Sequence, residues 1–330
     1  MQSLLKYNTF HLPACARVVA EYSSIDELQS LLETHRGDKI LPIGSGSDIL
    51  FTGDFDGVVL VNIPKQKEAI TIDSLNETVM VSVPAGVIMD EMIARLVEQD
   101  ITGMENLSHI PGTVGGAVVQ NAGAYGVEIK DVITSVHCVA IADGSIHTLS
   151  KDDCRFGYRD SIFKHLDKSP FAELGGLIIT SVDLQLKHAG APTLTYGGLS
   201  KQLRPDASAK DVRNAVIRIR QAKLPDVNDL GSAGSFFTNP VVTEQKLHDL
   251  LAFYPDMPHY GCKIPCAWLI EQCGLKGARI GDAKIYPKQP LVIVNMGKAT
   301  AEDILTLANR VVNAIRDKFG IIVQPEVNYV

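Results

Sequence analysis

Five glycines lie in the segment from residue 110 to residue 126, at positions 112, 115, 116, 123 and 126. Residues without a Cβ let backbone N–H groups come close to a ligand, and a phosphate gains most from several converging amides. The segment also contains Pro111, Val114, Val118 and Val119, an apolar content that a flexible linker does not need. It therefore predicts a site for a nucleotide cofactor.

A second loop of small residues, Leu41-Pro-Ile-Gly-Ser-Gly-Ser-Asp-Ile-Leu50, follows a predicted strand and could hold the same phosphates. Taken alone, it is equally compatible with an ordinary tight turn. Ile49 occupies the position of a third glycine after Gly44 and Gly46, so the fingerprint of a Rossmann fold is not met. The sequence also contains no Walker A segment, no Gly-x-Ser-x-Gly elbow and no His-Glu-x-x-His pair. The commonest ATPases, hydrolases and zinc proteases are therefore disfavoured.

The six cysteines have no regular spacing, which predicts reduced thiols rather than a disulfide framework. Cys262, Cys266 and Cys273 lie near His259, a combination that could suggest zinc. Structural zinc sites usually show tighter pairs of ligands, and Cys266 is followed closely by Trp268. We therefore predict a buried helix in this region and no metal site.

The composition describes an ordinary globular protein: 45% of the residues are apolar, 21% are charged, and the formal net charge is -7. At 330 residues the chain exceeds the usual size of one hydrophobic core, so we expect two or three compact units that share one active site. Basic residues form no run, which argues against binding of nucleic acid. Residues 1–20 contain no long apolar segment, and no later stretch is long and apolar enough for a membrane helix. We expect a cytoplasmic protein that does not bind membranes.

The N-terminal part of the chain has the pattern of a β-α-β unit. A capping box of Ser24 and Glu27 predicts the start of a helix that ends at Gly37. Apolar segments at 39–43 and 58–63 predict strands on either side of the first small-residue loop.

Farther along the chain, paired strands alternate with single helices. We predict strands at 69–74, 78–83, 131–140, 145–149 and 177–187, a β-rich stretch at 281–294, and helices at 89–99, 208–223, 266–273 and 301–319. The turns at Asn76 and at Asp143-Gly144 make neighbouring strands antiparallel, which favours an α+β fold over a plain doubly wound sheet. Leu224-Pro225-Asp226 predicts a domain boundary.

Five motifs occur in a fixed order along the chain: the 41–50 loop, the 110–126 segment, Cys154-Arg-Phe-Gly-Tyr-Arg-Asp-Ser161, Gly231-Ser-Ala-Gly-Ser-Phe-Phe-Thr-Asn-Pro240 and Pro325-Glu326-Val327. In this order the chain resembles the UDP-N-acetylenolpyruvoylglucosamine reductases, in their long-chain type I form, over nearly its whole length. The resemblance implies an α+β fold with a two-part FAD-binding domain of the vanillyl-alcohol-oxidase (PCMH) type and a C-terminal α+β substrate-binding domain. The implied boundaries are 1–66 for the first FAD-binding subdomain, with 327–330 as a candidate return to it, 67–224 for the second, and 225–326 for the substrate domain.

The resemblance also implies the reaction. Enzymes of this family use NADPH to reduce FAD, and the reduced flavin passes a hydride to the enolpyruvyl group of UDP-N-acetylglucosamine enolpyruvate, giving UDP-N-acetylmuramate for peptidoglycan synthesis. Neither glycine loop contains a histidine that could bond to the flavin, so we expect FAD to be held non-covalently.

The catalytic set implied by the resemblance is Arg159, Ser235 and Glu326. Hydride addition leaves negative charge next to a carboxylate that is already anionic, and such charge needs preorganised donors. Arg159 can supply a cationic fork, Glu326 a neighbouring hydrogen-bonding group, and Ser235 the proton for the adjacent carbon. Taken alone, each has a plainer explanation: a surface ion pair of Arg159 with Asp160, a turn or cap at Ser235, and a solvated Glu326 near the chain end.

The family pattern further implies two sets of contact residues. Expected FAD contacts are Ile43, Gly44, Ser45, Gly46, Ser47, Asp48, Pro111, Gly112, Thr113, Gly115, Gly116, Gln120, Asn121, Gly123, Ala124 and Tyr125. Expected substrate contacts are Tyr158, Tyr196, Lys223, Asn239, Tyr260, Lys276 and Gln289. Tyrosines and lysines suit a uridine diphosphate because they can stack on the base and offset phosphate charge.

Two residues depart from the family pattern. Asp48 stands where asparagine is usual, which places a carboxylate near the expected pyrophosphate and could weaken cofactor binding unless the carboxylate points elsewhere. Asn328 stands where a basic residue is common, so an ion pair at that position is lost.

Two other functions stay open at this point. One is a FAD oxidase or dehydrogenase of small alcohols or lactones, which Ser235 and Glu326 disfavour; the other is a catalytically idle flavin- or nucleotide-binding protein, for which Asp48 is mild support. The expected partners are the small molecules NADPH and UDP-N-acetylglucosamine enolpyruvate, with no nucleic acid and no membrane, and the expected state is a monomer.

Overall fold

The computed structural model describes residues 1–64, 70–195 and 198–330. These residues contain seven α-helices, α1 to α7 in chain order: Ile25–Thr34, Met89–Val97, Val114–Gln120, Ala209–Lys223, Glu244–Phe253, Cys266–Gln272 and Ala301–Phe319. They also contain eighteen strands, β1 to β18: Gln2–Ser3, Cys15–Tyr22, Ile40–Ile43, Ile49–Leu50, Phe55–Asn62, Thr71–Leu75, Thr78–Pro84, Ile101–Thr102, Gly123–Ala124, Val127–Glu128, Ile133–Ala140, Ile146–Ser150, Leu177–His188, Gly231–Ser235, Arg279–Ile280, Ala283–Ile285, Val292–Asn295 and Asn328–Tyr329. None of the helices in these ranges is long and apolar enough to cross a membrane.

The described residues divide into two compact units. Unit 1 comprises Met1–Gln2, Ala16–Ser45 and Asp56–Arg220, and unit 2 comprises Ser3–Cys15, Gly46–Phe55 and Gln221–Val330. The finer division into two FAD-binding subdomains and a substrate domain stays a prediction.

The first sheet of unit 1 realises the predicted β-α-β pattern. Its strand order is β1-β2-β5-β3, and β3 runs parallel to β5. The connecting helix α1 begins as predicted, because the Ser24 hydroxyl accepts the Glu27 N–H at 3.2 Å. Leu28 and Leu32 of α1 are buried with Val58 and other apolar residues of the sheet. The helix ends at Thr34, three residues before the predicted stop.

The second sheet of unit 1 has the strand order β12-β11-β13-β7-β6, with β8 also paired to β13. Every pairing in it is antiparallel, and the turns at Asn76 and Gly144 adopt positive φ angles of 57° and 72°. Helix α2 packs Met89, Met92 and Ile93 into the core of this sheet. The antiparallel pairing confirms the predicted α+β class.

Helix α3 was not predicted, because the sequence indicates only a glycine-rich loop at this position. The side chain of Thr113 accepts the Gly116 N–H at 3.3 Å and caps the helix, while Val114 and Val118 are fully buried. Burial of this apolar face outweighs the roughly 1 kcal/mol that each helical glycine costs relative to alanine.

Unit 2 is built on the sheet β14-β17-β16-β15, against which helix α7 packs. Thr300 and Asp303 form the capping box of α7, and Gly320 ends the helix with a φ of 62°. Ile304, Val311 and other residues of α7 are fully buried in the core of this unit. The α7 prediction was therefore confirmed at both ends, and the short strand β18, Asn328–Tyr329, follows near the end of the chain.

Candidate active site

The 110–126 segment is fastened to its neighbours in unit 1 by backbone hydrogen bonds. The Val114 N–H donates to the Val87 carbonyl at 2.9 Å, and the Gly115 N–H donates to the Ala85 carbonyl at 2.8 Å. Two backbone N–H groups at the start of α3 therefore already have acceptors within the protein. The same bonds hold the turn that precedes the helix in a fixed position.

The first small-residue loop and the 110–126 segment meet in unit 1. A Cβ built on Gly44 would lie 2.3 Å from the Thr113 hydroxyl oxygen, which is too close for a non-bonded carbon and oxygen. Only glycine allows this approach, so the backbone of Gly44 packs against the side chain of Thr113. Two of the predicted FAD-contacting segments are thus brought together.

The rest of the first loop belongs to unit 2. Gly46 has a φ of 63°, and a Cβ on it would lie 1.8 Å from the Tyr7 carbonyl oxygen. The Thr9 N–H donates to the Gly46 carbonyl at 3.1 Å. The positive φ and the close approach to Tyr7 both require glycine at position 46. The loop therefore has a defined conformation and is not a chance cluster of small residues.

Asn121 connects the end of α3 to the turn that carries Arg159. It ends the helix in the left-handed conformation, with a φ of 43°, and is fully buried. Its Nδ2 donates to the Gly157 carbonyl at 2.6 Å and to the Glu128 carboxylate at 3.1 Å, while its Oδ1 accepts the Lys130 N–H at 3.3 Å. A buried side chain with these partners fixes one loop relative to the other.

Two further side chains hold the same turn. The Ser161 hydroxyl donates to the Val119 carbonyl at 2.6 Å, and Lys164 Nζ donates to the Gln120 Oε1 at 2.6 Å and to the Arg159 carbonyl at 3.1 Å. The sequence pattern did not reveal Ser161 or Lys164 as supporting residues, because neither position is distinctive without the fold.

The Arg159 guanidinium lies against the backbone of the 110–126 segment. Its Nη2 donates to the Gly123 carbonyl at 2.6 Å, and its Cζ lies 5.4 Å from the centre of the Tyr158 ring. Asp160 pairs with His165, whose Nε2 is 2.8 Å from the carboxylate oxygen. Arg159 itself has a φ of 54°, a strained backbone conformation that the surrounding contacts maintain.

In unit 2, Ser235 and Glu326 lie on adjacent paired segments. Ser235 is the last residue of β14 and is paired with Val292 of β17. The next residue, Phe236, accepts the Glu326 N–H at its carbonyl at 2.9 Å, and Phe237 forms a bridge with Pro325. The backbone of Glu326 therefore lies beside the residue that follows Ser235.

The predicted substrate contacts have different surroundings. The Asn239 Oδ1 accepts the Cys266 N–H at 2.8 Å and so caps α6, while Lys276 forms a 2.8 Å ion pair with Glu271. Tyr260 is half exposed next to Lys263, and Gln289 lies in the turn between Tyr286 and Val292. Lys223 is the last residue of α4, Tyr158 lies beside Arg159 as described above, and Tyr196 lies outside the described residues.

A partly buried polar network in unit 1 has no signature in the sequence. Arg220 Nε donates to the His109 carbonyl at 3.1 Å, and its guanidinium also hydrogen-bonds the Tyr125 hydroxyl. Burial lowers the pKa of Arg220 against the opposing effect of Tyr125, and burial raises the pKa of Tyr125. A basic residue at the end of a predicted helix gave no signal of this role.

No group of three or more potential metal ligands occurs in residues 1–64, 70–195 and 198–330. Cys266 is buried in the short helix α6, as predicted, and burial raises the pKa of its thiol to about 12.

The 110–126 segment passes a direct test for a hydrogen-bonding cofactor. The Gln120 Nε2 is buried and has no protein acceptor among the described residues, although its Oε1 binds Lys164. Buried amide donors are rarely left unsatisfied, so a ligand acceptor fits this position. The buried Gln120 donor and the close approach at Gly44 together fit a bound FAD molecule.

Comparison with known proteins identifies the class first. Residues 16–150 match the family model of a FAD-binding domain, and residues 225–330 match the model of the UDP-N-acetylenolpyruvoylglucosamine reductase C-terminal domain. A FAD-binding domain followed by the C-terminal domain of such a reductase defines a FAD-dependent oxidoreductase.

Full-length relatives then identify the family. The chain is 42% identical to the UDP-N-acetylenolpyruvoylglucosamine reductase of Photobacterium profundum, over 99% of this chain and 94% of that protein. It is 40% identical to the enzyme of the same name from Bacteroides fragilis, over 99% of this chain and 98% of that protein. The chain belongs to the UDP-N-acetylenolpyruvoylglucosamine reductase family.

A solved structure agrees with this membership at the level of fold. The chain superimposes on the UDP-N-acetylenolpyruvylglucosamine reductase (MurB) of Thermus caldophilus with a TM-score of 0.69 and 24% sequence identity, covering 99% of this chain and 97% of that one. The predictions of family and fold were therefore confirmed.

Proposed function

We propose that this chain reduces UDP-N-acetylglucosamine enolpyruvate to UDP-N-acetylmuramate in peptidoglycan synthesis, with NADPH as hydride donor, and that Arg159, Ser235 and Glu326 carry the reaction. The observation that supports the residue assignment best is the hydrogen bond between the Glu326 N–H and the Phe236 carbonyl. It keeps the backbone of Glu326 next to the strand end that bears Ser235.

Each residue has a distinct task. Bound FAD would supply the hydride chemistry that links NADPH to the terminal carbon of the enolpyruvyl group. The Arg159 fork, anchored on the Gly123 carbonyl, balances the negative charge that develops on the substrate. The Ser235 hydroxyl donates a proton to the adjacent carbon, and Glu326 hydrogen-bonds the same region. One hydride and one proton together reduce the double bond.

The contact residues follow the same proposal. The two glycine loops, from Ile43 to Asp48 and from Pro111 to Tyr125, hold FAD without a covalent bond, and Gln120 Nε2 donates to it. Tyr158, Lys223, Tyr260, Lys276 and Gln289 contact the UDP-sugar, as does Tyr196. Asn239 contributes through its amide while its oxygen caps α6.

The surroundings of the enzyme are part of the proposal. We expect a monomer in the cytoplasm, where NADPH and nucleotide sugars are made, without a nucleic-acid or membrane partner. The three-part division at residues 66 and 224 describes how the FAD-binding and substrate-binding regions are distributed along the chain.

The direct test is the anaerobic absorbance of the flavin band of the purified protein. NADPH should bleach the band, and UDP-N-acetylglucosamine enolpyruvate added afterwards should restore it. These two changes establish both half-reactions and identify the acceptor.

Other outcomes would change the proposal in different ways. Bleaching without recolouring keeps the flavoprotein but rejects the substrate. A yellow protein that NADPH does not bleach indicates a catalytically idle flavin carrier, and a protein that binds no flavin rejects the function altogether.

A further inference from the structure

The C-terminal segment, residues 324–330, is bonded along one edge to the residues that follow Ser235. The Glu326 N–H donates to the Phe236 carbonyl at 2.9 Å, and the Thr238 N–H donates to the Gln324 carbonyl at 3.0 Å. These bonds lie within unit 2 and fix the register of Glu326 relative to residues 236–238.

The other end of the same segment is bonded to residues 48–52. The Asn328 N–H donates to the Asp48 carbonyl at 3.0 Å, the Val330 N–H donates to the Leu50 carbonyl at 3.0 Å, and the Thr52 N–H donates to the Val330 carbonyl at 2.7 Å. Strands β4 and β18 are parallel here, with Asn328 opposite Ile49. The C-terminal segment therefore joins the end of the first small-residue loop to the strand end that carries Ser235.

The Asn328 side chain adds a second attachment at the same point. Its Nδ2 donates to the Asp48 carbonyl oxygen at 3.0 Å and to the Asp48 carboxylate oxygen Oδ2 at 3.1 Å. One amide group thus holds both the backbone and the side chain of Asp48. A hydrogen bond to a carboxylate is stronger than one between neutral groups, so the bond from Asn328 contributes to the orientation of the Asp48 carboxylate.

We propose that Asn328 is a positioning residue for this reaction: it orients the Asp48 carboxylate in the cofactor loop and fixes the segment that presents Glu326. The inference rests on the proposed function. Asn328 lies two residues from Glu326, and its bonds to Asp48 oppose a sliding of the C-terminal segment. Loss of the amide removes two hydrogen bonds to Asp48 and one attachment of the C-terminal segment at the same time.

The first experiment compares Asn328→Ala with Ile322→Ala. Ile322 is 64% exposed in the same C-terminal stretch, so it controls for the general effect of a change there. For Asn328→Ala we expect FAD binding by the apoprotein, measured by quenching of flavin fluorescence, to weaken about tenfold, since hydrogen bonds to charged groups are at stake. With saturating FAD, recolouring by the enolpyruvyl substrate should slow about tenfold while bleaching by NADPH changes less than about twofold.

A second experiment exchanges donor and acceptor. Asn328→Asp places two carboxylates against each other and should weaken FAD binding more than Asn328→Ala does. The double variant Asp48→Asn with Asn328→Asp restores one amide-to-carboxylate bond with its direction reversed, and should recover most of the binding lost by Asn328→Asp alone. A structural role without coupling predicts that the two changes add.

The outcomes separate this inference from the proposed function. If the wild-type protein is not recoloured by the substrate, the proposed function fails. If it is recoloured, but Asn328→Ala matches Ile322→Ala in FAD binding and in both half-reactions, or the exchange gives no recovery, Asn328 is not a positioning residue.

Discussion

At the scale of single residues, hydrogen bonds to backbone carbonyls hold the predicted catalytic residues Arg159 and Glu326 in place. The Arg159 guanidinium rests on the Gly123 carbonyl, and the neighbouring carboxylate of Asp160 is engaged by His165. These contacts therefore disfavour the plainer explanation, in which Arg159 forms a surface ion pair with Asp160. Ser235 ends a strand whose next carbonyl receives the Glu326 N–H, which favours a joint role for that pair.

Replacing Ser235 with alanine separates the two half-reactions. The hydroxyl is needed only where a proton reaches the substrate, so bleaching by NADPH should stay largely intact. Recolouring by the enolpyruvyl substrate should slow by about 10²–10⁴-fold, the usual contribution of a general acid. Stopped-flow absorbance of the flavin band measures both rates. Equal losses in the two half-reactions would contradict the role of Ser235 as proton donor.

Gly44→Ala tests the close approach of the two cofactor loops. The new Cβ would lie 2.3 Å from the Thr113 oxygen, and Thr113 cannot rotate freely because it caps α3. We expect FAD affinity of the apoprotein to fall at least about tenfold, in line with the 1–3 kcal/mol typical of overpacking. Flavin fluorescence titration provides the measurement.

The matched control for this change is Gly53→Ala. A Cβ on Gly53 would meet nothing within 4 Å, and its φ is not in the left-handed region. FAD affinity of that variant should equal that of the wild type. An unchanged affinity in Gly44→Ala would show that the approach of the loops does not shape the cofactor site.

At the scale of elements, the sequence predicted most of what local rules control. Helix α7 extends from Ala301 to Phe319 as predicted, because the capping box at Thr300 and the glycine at position 320 act within a few residues. Helix α3 could not be predicted, since its stability comes from burial of Val114 and Val118 against strands distant in sequence. The contacts of Asn121 with Gly157 were hidden for the same reason.

The bond between Ser161 and α3 gives a prediction at this scale. Ser161 is buried and donates to the Val119 carbonyl at 2.6 Å, which fixes the Arg159 turn against the helix. Ser161→Ala should lower the free energy of unfolding by about 1–2 kcal/mol, because a buried carbonyl loses its partner. It should also slow substrate-dependent recolouring several-fold. Urea unfolding and stopped-flow absorbance measure the two effects.

Ser169→Ala distinguishes positioning from general stability. The Ser169 hydroxyl donates to the Leu166 carbonyl at 2.8 Å within a local turn, in the same unit. Its removal should cost a comparable part of the free energy of unfolding but leave recolouring unchanged. If both variants slow the reaction equally, the link between Ser161 and Arg159 is not specific.

At the scale of the whole molecule, charge pairs inside a unit set how its stability responds to pH. Asp90 and Arg213 form a forked pair in unit 1, with Nη1 and Nη2 of Arg213 on the two carboxylate oxygens. The His109 N–H donates to the same carboxylate at 2.6 Å. Burial opposes ionisation of Asp90, but the bonds from Arg213 and His109 outweigh it and hold the pKa of Asp90 below its ordinary value.

Asp90→Asn should therefore change the acid limb of the stability curve. A carboxyl whose folded-state pKa is lowered stabilises the protein above its unfolded-state pKa, and that contribution disappears as the pH falls through the folded-state value. At pH 7 the variant should be less stable than the wild type by about 1–3 kcal/mol, the range for hydrogen bonds to a charged group. The difference should shrink as the pH falls below about 4, because the Asp90 carboxyl of the unfolded wild-type chain then takes up a proton while that of the folded protein still resists protonation.

Many other carboxyl groups titrate in the same range, so the informative quantity is the difference between two proteins at each pH. Urea unfolding of wild type, Asp90→Asn and Asp317→Asn from pH 7 to pH 3 provides it. Asp317 pairs with Arg316 at 2.9 Å on the surface, and its removal should change stability by less than about 0.5 kcal/mol at every pH. A difference for Asp90→Asn that stays constant down to pH 3 would mean that the pair stabilises the unit through packing rather than through charge.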